Sequence, residues 1–134
     1  MKTIETRKDV ELLVEQFYTK VRAHKDLGPI FARHIHDHEW PEHLEKLSDF
    51  WETNLFGVRK FKGNPTQKHL AVDNAHPGGM GQELFGYWLQ LWIATLDELF
   101  TGDRAEKAKD AARNIAHIQF LILWKAQHKV QSEF

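Results

Sequence analysis

Apolar residues along this chain recur at steps of three and four, and no useful stretch alternates apolar with polar. Such spacing builds stripes along helices, because steps of three and four return to one helix face while a strand needs steps of two. The first stripe is Val10, Leu13, Val14, Phe17, Tyr18 and Val21, with Thr6 or Asp9 placed to cap its start. Gly28-Pro29 ends this helix near His24, and Pro29 opens a short helical turn through Phe31 and Arg33. Residues 34–38 read as a polar loop. The next long helix is predicted over residues 39–56, with Trp40, Leu44, Leu47, Phe50, Trp51 and Leu55 on its apolar face. Pro41 fits only its first turn, and Gly57 ends it. A third helix over residues 82–100 carries Leu84, Phe85, Trp88, Leu89, Trp92, Leu96 and Leu99. Gly102-Asp103 breaks the chain, and a last helix over residues 104–129 carries Ala108, Ala111, Ala112, Ile115, Ile118, Ile122 and Leu123. With no internal repeat or low-complexity segment, the 134 residues form a single all-α domain.

The middle of the chain departs from this pattern. Residues 57–65 form a basic loop with Arg59, Lys60 and Lys62, and residues 73–81 form a Gly-rich loop. Between them Asn64-Pro65 introduces a short helix over residues 66–72 that contains His69. Loops of this length in a small domain are usually functional.

Charge and cysteine content exclude several classes. The formal net charge is -1, which argues against a general nucleic-acid binder. No cysteine is present, so disulfides, thiolate metal sites and a cysteine nucleophile are ruled out. The start, Met1-Lys2-Thr3-Ile4-Glu5, lacks the apolar stretch of a signal peptide, and the apolar runs at 91–96 and 116–124 are too short to span a bilayer. A cytoplasmic protein without membrane contact is expected. Nine histidines and sixteen aromatic residues, five of them Trp, allow a pocket for a metal or a flat cofactor.

Three predicted helices each turn a hydrogen-bond donor inward: the phenol of Tyr18, the imidazole of His43 and the indole of Trp88. Taken singly, each is most simply a core side chain with its polar tip satisfied. They either satisfy one another or converge on a ligand. His69 lies in a helix too short to be a major core element. Donors from three helices, with one imidazole from a short segment between the last two, form the arrangement a haem needs.

On these residues the sequence resembles the third group of truncated haemoglobins over nearly its whole length. The resemblance rests on Phe17-Tyr18, on Lys25-Asp26-Leu27-Gly28-Pro29-Ile30-Phe31 and on Glu39-Trp40-Pro41-Glu42-His43. It continues through Phe50-Trp51, Gly63-Asn64-Pro65, Lys68-His69-Leu70 and Phe85-Gly86-Tyr87-Trp88-Leu89. The paired-glycine motifs of the other truncated groups are missing from the corresponding places. The resemblance implies a globin-like two-over-two helical sandwich enclosing haem b. It makes His69 the proximal iron ligand and places Tyr18, His43 and Trp88 on the distal side. Leu47 would pack over the distal face, Phe31 and Phe85 against the porphyrin, and Lys68 beside a propionate.

That family implies binding of dioxygen, nitric oxide or carbon monoxide at a five-coordinate iron. A pocket with three donors also suits redox turnover of nitric oxide or peroxide, with electrons from an external reductase. His43 would act as a gate. Two other readings compete. His34, His36, Asp37 and His38 could hold the metal of an all-α phosphohydrolase. A helical interaction module without cofactor would instead have Tyr18, His43 and Trp88 satisfy one another in a filled core.

Overall fold

The structure, a computed structural model, describes residues 2–57 and 82–132. Among these, the helices are α1 (Arg7–Ala23), α2 (Leu27–His34), α3 (Trp40–Phe56), α4 (Gln82–Leu99) and α5 (Asp103–Ser132), with a 3-10 turn at Asp37–Glu39. The short helix predicted over residues 66–72 and both flanking loops lie outside the described residues.

Local chemistry sets the helix ends. The Thr6 side chain accepts from the Asp9 backbone N–H, and the Asp9 carboxylate accepts from the N–H groups of Glu5 and Thr6. Both anticipated cap residues therefore act, as the two halves of a capping box. Burial pushes the Asp9 carboxyl up, but those N–H groups and Lys2 outweigh it and hold the group below its ordinary range. α2 begins at Leu27, before Pro29 and earlier than predicted, because the His24 ring supplies a cap. Its Nδ1 accepts from the N–H groups of Asp26 and Leu27 at 3.1 and 3.2 Å. Gly57 closes α3 at a φ of 74°, a conformation that favours glycine.

Packing follows the stripes. α1 and α3 form one pair, α4 and α5 the other, and α1 lies against α4 where the pairs stack. Val10, Leu13, Val14, Phe17 and Val21 have no exposed surface, and each contributes about 1.5–3 kcal/mol by leaving water. Polar ties fix the register. The Arg7 guanidinium reaches Asp49 on α3 at 2.6 Å, and Lys20 reaches Glu98 on α4 at 2.8 Å. α2 crosses close to α1 at Gly28, where a Cβ would stand 2.5 Å from the Arg22 carbonyl oxygen.

The segment before α1 is strapped to the far end of α4. Lys2 and Phe100 form a parallel bridge, and the Thr101 N–H donates to the Lys2 carbonyl at 2.9 Å. Arg104 donates to the Ile4 carbonyl at 2.9 Å and lies over the Phe56 ring.

Two stripe assignments need correction. Ile118, expected inside, is half exposed among the described residues. On α3, Leu44, Leu47 and Phe50 are only partly buried, while Ser48 and Glu52 are buried. The face of α3 turned toward α1 is therefore rotated past the apolar stripe. The Ser48 hydroxyl donates to the Leu44 carbonyl, and Arg7 reaches Glu52 at 3.4 Å, so the buried polar groups are partnered.

Candidate functional site

Tyr18 occupies the centre of an aromatic cluster drawn from four helices. Phe31 on α2 and the Trp40 and His43 rings on α3 stand 6.2, 5.8 and 6.1 Å from its ring centroid, with Phe31 and His43 edge-on. From α4 the Trp88 indole N–H donates to the phenol oxygen. An indole N–H can only donate, so the tyrosine serves as acceptor in this bond. Burial pushes the Tyr18 hydroxyl up to about 12, against the smaller opposing pull of the Trp88 bond. The phenol therefore stays protonated throughout the physiological range and offers one donor.

The local sequence explains this convergence. Tyr18 follows Phe17 on the buried side of α1, and Trp88 lies one turn from Phe85 and Trp92 on α4. Phe17 stands edge-on to both indoles, 5.7 Å from Trp88 and 4.9 Å from Trp92. His43 is half-buried, one turn beyond Trp40 and 5.3 Å from its ring. Leu47 follows one turn later, partly buried against the core, and Phe85 is buried.

Of the residues singled out from sequence, Tyr18, His43, Trp88 and Phe31 are thus brought together. Leu47 and Phe85 flank them on α3 and α4. His69 and Lys68 lie outside the described residues. Sequence reasoning missed Trp40 as a member of the cluster. Its place three residues before His43 was the available signal, since i and i+3 share a helix face. The Arg22 guanidinium lies over the Trp40 ring, 4.6 Å from its centroid, as a cation–π contact.

The donor set fits a haem pocket. A neutral phenol held by an indole, with an imidazole beside it, is a group that can hydrogen-bond a polar diatomic ligand, and the neighbouring side chains are apolar. The described residues do not support the phosphohydrolase reading, and the His34 side chain lies outside them. No group of three or more His, Asp or Glu among them could hold a metal. His36 and His38 stack on each other at 5.8 Å instead, and Asp37 pairs with Arg22 at 3.1 Å. The His36 backbone N–H donates to Glu39 at 2.9 Å; that bond, aided by the surrounding histidines, holds the carboxyl below its ordinary range.

No protein-family model matches the chain. A curated relative, the group 3 truncated hemoglobin ctb of Campylobacter jejuni, is 35% identical over 119 residues, covering 87% of this chain and 90% of the relative. The crystal structure of the group III truncated hemoglobin from Campylobacter jejuni aligns with a TM-score of 0.82 at 34% identity, over 94% of this chain and 98% of that one.

Proposed function

The chain belongs to the group III truncated haemoglobins, and we propose that it holds haem b and reversibly binds dioxygen, nitric oxide and carbon monoxide beneath a polar pocket. Membership carries the two-over-two globin fold and a haem- and ligand-binding role. The finer assignments are ours: His69 as the proximal ligand, Tyr18, His43 and Trp88 on the distal side, Phe31, Leu47 and Phe85 against the porphyrin, and Lys68 near a propionate. When bound, the haem supplies an open coordination position and a metal that can change oxidation state.

The observation that carries this reading is the alignment with the group III truncated hemoglobin of Campylobacter jejuni, at a TM-score of 0.82 over 94% of this chain. The hydrogen bond from Trp88 to the phenol oxygen of Tyr18 orients the phenol, whose proton would meet a ligand atom. Trp88 thereby acts through Tyr18 as well as lining the pocket. Phe31 and Trp40 keep water from the phenol. His43, at the half-buried edge, can swing between pocket and solvent.

The Tyr18 proton, with His43 as a second donor, would polarise a bound ligand, and such a pocket suits redox turnover of nitric oxide or peroxide with electrons from an external reductant. The test is the absorption spectrum of the purified protein as isolated, reduced, and reduced under carbon monoxide. A Soret band that shifts on reduction and again with carbon monoxide is expected. His69→Ala should lose that haem or change its spectrum and gas affinity. Unaltered colour and affinity in the variant would remove His69 from the role.

A further inference from the structure

Behind the Tyr18 cluster the indoles form a continuous stack that ligand binding does not require. Trp88 and Trp92, one turn apart on α4, lie parallel at 6.5 Å with 2° between their planes. Trp92 in turn stacks on Trp51 of α3 at 4.4 Å and 24°. The ladder therefore runs from the tyrosine-bonded indole to the interface between α3 and α4.

We propose that this ladder is a path for oxidising equivalents, and that the Trp92–Trp51 pair is where a hole generated by peroxide comes to rest. The inference builds on the haem and peroxide reading above. Electron tunnelling falls off steeply with distance, so neighbouring stacked rings exchange an electron far faster than separated ones. Trp88 and Tyr18 are the entry.

Three features make the pair the resting place. Oxidation of a phenol releases its proton, and burial opposes that release at Tyr18, whose hydroxyl is pushed up to about 12. The nearest oxidisable group is thus a poor trap. At the pair, the positive charge of an indole radical cation spreads over two rings in face contact. The Trp92 N–H donates to the Ala108 carbonyl at 3.1 Å, which places the negative end of a peptide dipole on the oxidised ring. These effects offset the cost of a buried charge. A carbonyl is no base for the indole proton, so the radical remains a cation. Trp92 has no exposed surface and Trp51 only 2%, which keeps it from solvent.

The balance is simple. Hydrogen peroxide takes up two electrons and two protons to give two waters. One electron would come from the tryptophan pair and one from the bound haem, with the protons drawn from solvent. An external reductant returns both electrons, one to each.

In the test, haem-loaded protein with a recorded Soret band is mixed with one equivalent of hydrogen peroxide, frozen within milliseconds and examined by electron paramagnetic resonance. A tryptophanyl signal is expected. Trp92→Phe should reduce it at least severalfold and move the radical to Trp88 or Tyr18. Peptide mass spectrometry of the wild-type protein after repeated peroxide additions needs no variant, and should find oxygen added to Trp92 and Trp51 ahead of Tyr18. A tyrosyl signal in the wild type, an undiminished signal in Trp92→Phe, or oxidation confined to Tyr18 overturns the proposal while the haem reading stands. Failure of the wild type to take up haem overturns both.

Discussion

The indole N–H of Trp88 donates to the phenol oxygen of Tyr18, joining α4 to α1 at the centre of the aromatic cluster. The bond leaves the tyrosine with an occupied acceptor and an available proton, held neutral by burial. A distal donor of this kind acts on a ligand that carries negative charge more than on one that does not.

Tyr18→Phe tests that donor directly. A hydrogen bond to a charged acceptor is worth roughly 1.5–3 kcal/mol, or about one to two powers of ten in release rate. Stopped-flow measurement of dioxygen dissociation should show an increase of at least severalfold, with a smaller change for carbon monoxide. An unchanged dioxygen rate would take Tyr18 out of the role.

The same tyrosine sets an alkaline limit on stability. Its hydroxyl titrates near 10.0 when unfolded and near about 12 when folded, so the folded state holds the proton longer. The contribution is fully present below pH 10 and is lost as pH rises through 12. The loss is about 3 kcal/mol by linkage. Denaturant melts across that window should show the decline in the wild type and a shallower one in Tyr18→Phe.

His43 offers a kinetic test. It sits at the half-buried edge of the cluster, and in the proposed gate role it would obstruct entry more than it stabilises the ligand. His43→Ala should accelerate carbon monoxide association in flash photolysis. An unaltered or slower rate would assign His43 to ligand stabilisation or to packing against Trp40.

Asp9 makes the first helix acid-sensitive. Its carboxyl titrates below its ordinary value, so its stabilisation is present above about pH 4 and is lost as pH falls through the folded value. Asp9→Asn should cost about 1 kcal/mol at neutral pH, the usual scale of a lost cap. The gap to the wild type should narrow when melts are repeated near pH 3.

Gly28 sets the separation of α2 from α1. A methyl group there meets a backbone carbonyl, which cannot rotate away as a side chain could. Gly28→Ala should destabilise the fold by roughly 1–3 kcal/mol, the usual cost of overpacking. It should also shift Phe31 relative to Tyr18, visible as altered ligand kinetics.

Periodicity alone yielded the long helices and the inward faces of Tyr18 and Trp88, because a stripe at steps of three and four leaves no other way to bury Phe17 or Trp92. The start of α2 escaped it. A histidine ring acting as cap has no residue pattern of its own, and Gly28-Pro29 reads as a break. Trp40 and the Trp92–Trp51 stack escaped it as well, since side chains from separate helices meet only after the layers have packed. The rotation of α3 that buries Ser48 and Glu52 depends on Arg7, far away in sequence.

The strap at the head of the chain bears on how the polypeptide is made. Ile4, wholly enclosed, receives its carbonyl's partner from Arg104, and Lys2 finds its bridge at Phe100. During synthesis α1 can coil early, but its leading end stays unlatched until Phe100 and Arg104 have been added. Contacts so distant along the backbone retard folding, and in the interval the apolar side of α1 lies open to chaperones.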